Sequence, residues 1–112
     1  MYQNGELMPL FLRFHEAIKN NISTRHTIDF YLETLGTNKA LLSKACMTAS
    51  GKSPSLYIKS LIIAKAKILL VSEEILIKEV GERLGFHDTA TFVKLFKRME
   101  GMTPNDFRGL HI

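Results

Sequence analysis

The side chains in this sequence best suited to chemistry are lysines, and they are grouped. From Thr37 to Val71 the chain carries Lys39, Lys44, Lys52, Lys59, Lys65 and Lys67, with no aspartate or glutamate among them. The balance reverses from Ser72 to Arg83, where Glu73, Glu74, Glu79 and Glu82 fall close together. A basic block followed by an acidic one suggests a charged face turned toward a polyanion, because clustered like charges focus an attractive potential. A solvated helix surface would look the same, so charge alone leaves both readings open.

Other chemistries fit poorly. His15, His26, His87 and His111 are dispersed with no i,i+4 pair, and the single cysteine, Cys46, has no partner for an internal disulfide. No Cys/His cluster has metal-ligand spacing, so neither a metal nor a cofactor is expected. Gly51-Lys52-Ser53 resembles the end of a phosphate-binding loop, but that motif needs glycine where Cys46 stands and a strand before it. No nucleophile, base and acid can be assembled from motif spacing, so no enzyme is expected. The longest apolar run, Leu61–Ala64, gives way to Lys65 and Lys67, too soon for a membrane span. A soluble, cytoplasmic protein is the expectation, and one unpaired cysteine suits a reducing interior.

The elements that must position these lysines follow from hydrophobic spacing. With 112 residues the chain fits one domain or two very small ones. After a polar lead, Leu7, Leu10, Phe11, Phe14 and Ile18 recur at helical spacing and predict a first helix ending near Asn20-Asn21. Thr27 is placed to cap a second helix with Ile28, Tyr31, Leu32 and Leu35 inward, and Gly36 to stop it. A third helix is predicted from about Asn38 to Ser50, with Leu42, Ala45, Cys46 and Ala49 inward. Ser53-Pro54 then starts a fourth that reaches about Val71 with no internal Gly or Pro. A short helix over Ile77–Leu84 is stopped by Gly85, and Asp88 caps another from about Thr89 to Glu100. Thr103-Pro104 repeats the cap-then-proline start for a last short helix. Prolines and glycines are expected at element boundaries. No segment alternates with period two, so the predicted class is all-α.

The two halves repeat. Thr27–Gly36 matches Leu76–Gly85 at an offset of 49, and after one extra residue in the second turn the offset becomes 50. Ile28 then meets Ile77, Gly36 meets Gly85, Leu42 meets Phe92, Lys44 meets Lys94, Gly51 meets Gly101 and Pro54 meets Pro104. Each copy reads as a short helix, a glycine-containing turn and a longer helix, which is the helix-turn-helix plan. A duplicated helical hairpin with no nucleic-acid partner would share that outline.

The outward faces separate the two readings. In the first copy the second helix presents Ala40, Ser43, Lys44 and Met47, with Lys39 at its start. In the second it presents Ala90, Val93, Lys94 and Lys97, with Thr89 at its start. Neither face carries an acid. Small side chains let a helix sit deep in a major groove, and lysines beside them suit phosphates or guanine edges. Met47 would either contact a thymine methyl or cover the fourth helix. About 17 residues of linker helix span roughly 25 Å, and the flanking turns would bring the two copies close to the ~34 Å between successive major grooves on one duplex face.

The motifs then become recognisable. Gly85-Phe86, Phe92-Val93-Lys94-Leu95-Phe96-Lys97-Arg98 and Gly101-Met102-Thr103-Pro104-Asn105-Asp106-Phe107-Arg108 resemble the signature of the AraC/XylS-type transcription regulators. The resemblance runs back to about Ile28. It implies two helix-turn-helix subdomains joined by a long linker helix, about seven helices in all. It implies base-facing roles for Ala40, Ser43 and Lys44 and for Thr89, Ala90, Val93 and Lys94, with Lys97 on a phosphate. It also implies transcription regulation through contacts with RNA polymerase or by site occlusion. Ile62 departs from the family's usual linker arginine, and Leu76 from its usual Ser or Thr cap.

The organisation expected is an N-terminal helix over 1–20, a first helix-turn-helix subdomain over 21–53, a linker helix over 54–71 and a second subdomain over 72–112. The first helix reads as a connection to a sensor or dimerisation domain outside these residues, although small standalone members of the family exist. The partner expected is double-stranded DNA. The rival is a helical protein-interaction module whose basic face meets an acidic partner, suggested by the strongly apolar face of the first helix.

Overall fold

In the computed structural model, residues 4–111 are described, and they form seven α-helices with no strand among them. These are α1 (Asn4–Asn21), α2 (Ile28–Leu35), α3 (Lys39–Ser50), α4 (Pro54–Ser72), α5 (Ile77–Arg83), α6 (Thr89–Glu100) and α7 (Pro104–Leu110). The chain divides into two compact units within α4, between Leu61 and Ile62.

The first unit is built on α1. Its Leu7, Leu10, Phe14 and Ile18 are buried, spaced three or four residues apart so that they share one face. That face packs on α2 and α3, where Tyr31, Leu35, Leu42, Ala45 and Cys46 complete the core. The apolar surface that suggested an external protein partner is therefore largely consumed inside the unit. Aromatic edges fix the packing: the Phe14 and Tyr31 rings meet at 5.6 Å and the Phe11 and Tyr57 rings at 5.0 Å. His15 Nδ1 and Tyr57 Oη share a hydrogen bond of 2.6 Å, which joins α1 to the start of α4. Arg13 donates to the carbonyl of Leu35 at 3.1 Å, satisfying one of the groups left over at the end of α2.

The second unit repeats the arrangement, with Phe92 and Phe96 buried on α6 where α3 buries Leu42 and Cys46. Val80, Leu84, Phe92, Leu95 and Phe96 are buried together with Ile62, Ile63, Ala66, Leu69 and Leu70 of α4. Phe86, Phe92, Phe96 and Phe107 run ring to ring at 5.4, 6.1 and 5.7 Å. Gly81 makes the close approach of α5 to α6 possible, since a Cβ there would lie 3.3 Å from the Phe92 ring.

Four expectations are corrected. Pro9 and Gly5 lie inside α1, which starts at Asn4, ahead of the polar lead's end. A proline so near a helix start removes one backbone bond, and the exposed Gly5 carbonyl that loses it can turn to water. Ala49 is exposed although it shares the direction of Leu42, because spacing sets where a side chain points and not whether another element covers it. Ile28 and Leu32 are only half-buried. Thr27 holds the extended backbone of a cap, but its hydroxyl accepts no bond from the helix.

Candidate nucleic-acid interface

α3 and α6 hold the residues singled out in the sequence, and their ends are closed in the same way. Asn38 precedes α3 with φ −121° and accepts from the Leu41 amide at 2.9 Å. Asp88 precedes α6 with φ −123° and accepts from the Ala90 amide at 3.1 Å and from the Thr91 hydroxyl at 3.2 Å. Each helix stops at a glycine in the left-handed region, Gly51 at φ 73° and Gly101 at φ 79°. Both helices are 12 residues long.

Burial fixes which way the remaining side chains point. α3 buries Leu42, Ala45 and Cys46, and α6 buries Phe92, Leu95 and Phe96, at matched positions of the repeat. On α3 this leaves Lys39, Ala40 and Lys44 exposed and Ser43 half-buried. On α6, Ala90, Lys94 and Lys97 are exposed, while Thr89 and Val93 are half-buried. Each set therefore shares one outward face of one helix. Met47 extends the α3 set and is 54% exposed, so it does not serve as a cover for α4. Its counterpart on the repeat is Lys97.

The electrostatics follow. α3 contains no acid, and the only acid of α6, Glu100 at its end, is engaged by Lys67 at 2.8 Å. Among the described residues no ion pair engages Lys39, Lys44, Lys94 or Lys97. Unneutralised ammonium groups on a groove-sized helix face are suited to phosphate oxygens and to acceptors on base edges.

The structure adds neighbours that spacing did not reveal. A cavity of about 230 Å³ beside α3 is lined by Lys39 and Ser43 together with Ile28, Asp29, Ser53 and Ser55. Asp29 thus brings a carboxylate to the rim of a surface whose own helix is acid-free. No periodicity within α3 could have located it, because it arrives from α2. His87 is exposed in the turn before α6. Cys46 is fully buried, with its Sγ 3.6 Å from Ser50 Oγ. Burial pushes the thiol above its usual range, opposed by the Ser50 hydrogen bond and by Lys52, which makes it a packed group and not a nucleophile. Among the described residues no group of His, Cys, Asp or Glu is placed to hold a metal ion, and no helix is long and apolar enough to cross a membrane.

Known proteins share this architecture. The transcriptional activator RhaR of an Enterobacter species is 28% identical over 92 residues, which are 82% of this chain and 33% of that protein. The chain thus spans about a third of the length of that relative. The C-terminal domain of AraT, a response regulator from Geobacillus stearothermophilus, superposes with a TM-score of 0.86 at 28% identity, covering 95% of this chain and 88% of that one. The DNA-binding domain of the transcription factor AdpA shares the fold at a TM-score of 0.79 and 18% identity, with 91% of each chain covered. A family model described as a helix-turn-helix domain matches residues 31–109, and with its duplicated, glycine-closed helices the chain belongs to the AraC-type helix-turn-helix family.

Proposed function

We propose that this chain binds double-stranded DNA with sequence preference and regulates transcription, placing one helix of each unit, α3 and α6, in successive major grooves. The observation that carries the reading is the matched pair of capped helices with exposed, unpaired lysines and no acid on either outward face. Ala40, Ser43, Lys44, Thr89, Ala90, Val93 and Lys94 face bases, Lys97 meets a phosphate, and Lys39 lies on the DNA-facing side at the start of α3. The AdpA domain, which shares the fold, was solved with a target DNA bound, and RhaR is a transcriptional activator.

The finer reading is a cytoplasmic regulator that acts through RNA polymerase or by occluding a promoter. A sensor or dimerisation domain would lie outside these residues, in keeping with RhaR, of which the matched residues make up 33%. It assigns the chain no catalytic step.

Titration of duplexes at several salt concentrations tests it. Lysine–phosphate contacts release counterions, so affinity should fall steeply as salt rises, with one sequence class still preferred. Binding indifferent to salt, or equal for all sequences at every salt, overturns the reading. Footprinting should show two protected stretches about one helical turn apart.

A further inference from the structure

We infer that the two units read the same base chemistry, so that the DNA site this chain prefers holds two copies of one guanine-containing core. The inference rests on the DNA-binding reading above and names its target more closely.

α3 and α6 are local copies of each other. They have equal length, matched extended caps at Asn38 and Asp88, and matched left-handed glycine stops. Their buried positions coincide on the repeat, Leu42 with Phe92, Ala45 with Leu95 and Cys46 with Phe96. Both helices are therefore rotated alike about their own axes within their units. On that setting the second residue of each helix is an exposed alanine, Ala40 or Ala90, and the sixth an exposed lysine, Lys44 or Lys94.

That pair of residue types limits what can be read. A lysine ammonium only donates, and guanine offers two neighbouring acceptors, O6 and N7, on its major-groove edge. Alanine one turn earlier makes no hydrogen-bond demand, and its methyl suits the C5 methyl of thymine. Neither outward face carries asparagine, glutamine or, among its reading positions, arginine, so neither unit has a bidentate reader of adenine. The same two residues at the same two positions ask for the same core in each half of the site. The faces differ at Lys39 against Thr89, at Ser43 against Val93 and at Met47 against Lys97, which lets the bases around each core differ.

The test uses the whole chain. Bound duplexes are selected from a random pool, and each guanine of the enriched site is then replaced in turn by 7-deazaguanine, which lacks the N7 acceptor. The expected result is one guanine-containing core present twice, with affinity falling roughly tenfold on replacement of one guanine in each copy. Lys44→Ala should abolish the penalty in one copy and Lys94→Ala in the other, whereas Lys44→Arg should retain it. Circular dichroism shows whether the variants keep their helices, as exposed positions should. Enriched sites with two unrelated cores overturn the inference and leave DNA binding standing. So do penalties that survive both alanine substitutions, which would place the lysines on phosphates. A pool that yields no enriched sequence overturns the DNA-reading proposal and this inference together.

Discussion

Arg108 Nε donates to the carbonyl of Leu70 at 2.9 Å, tying α7 to the last turn of α4. The same guanidinium reaches the Glu73 carbonyl at 3.4 Å. Carbonyls at a helix end lack an intrahelical partner, and a cation there also opposes the negative end of the helix dipole. Arg108→Met keeps much of the aliphatic stem and removes both donors. It should lower the unfolding free energy by about 1.5–3 kcal/mol, as read by urea denaturation. A change below about 0.5 kcal/mol would show that water replaces the guanidinium at little cost.

Gly81 has no spare volume beside it. Phe92 is fully buried and held between the Phe86 and Phe96 rings, so it has little room to yield to a new side chain on α5. Gly81→Val should therefore destabilise the second unit by about 1–3 kcal/mol through overpacking. A variant that melts at the wild-type temperature would mean the α5–α6 contact is looser than the 3.3 Å approach indicates.

Tyr31 makes stability fall at alkaline pH. Burial pushes its phenol up from 10.0 to about 12, and its hydroxyl donates to the Arg25 carbonyl at 2.8 Å, a bond the phenolate cannot make. The unfolded chain releases this proton near pH 10 while the folded chain keeps it, so the contribution is complete below pH 10 and lost by about pH 12. The expected loss is about 3 kcal/mol across that window. Tyr31→Phe should flatten this part of the profile, and an equally steep fall in the variant would assign the effect to other groups.

Leu76 occupies the position before α5 with no side-chain bond to the helix, and it is 72% exposed. Leu76→Ser supplies the missing acceptor and gives up almost no buried surface. The variant should gain about 0.5–1 kcal/mol, with a higher thermal midpoint. An unchanged or lower midpoint would show that the first amides of α5 are already well solvated.

Lys97 is expected on a phosphate and not on a base. Lys97→Ala should weaken binding to preferred and random duplexes alike and reduce the slope of log affinity against log salt by about 1. A selective loss on the preferred duplex would move Lys97 to a base edge.

The features legible in the sequence are those with a local cause. Ser53-Pro54 and Thr103-Pro104 mark helix starts because a short acceptor followed by a preset φ suits the first turn. Gly36, Gly51 and Gly101 mark helix ends because all three take positive φ. The α3 and α6 faces were legible because three buried positions on a helix define the opposite side. What escaped the sequence depends on elements meeting across the chain. Asp29 reaches the α3 rim from α2, Arg13 closes the end of α2 from α1, and Arg108 closes α4 from α7. Ala49 points correctly but meets no cover, and Pro9 sits in a helix that neighbouring buried residues sustain.

The uneven distribution of aromatic residues has an optical consequence. The chain has no tryptophan, and Tyr2, Tyr31 and Tyr57 all precede Leu61, whereas phenylalanine falls on both sides of it. Tyrosine emission therefore comes from the first unit alone, whereas far-ultraviolet dichroism sums over both. Following one unlabelled sample by both signals separates the melting of each half, and shows whether they come apart together or in turn.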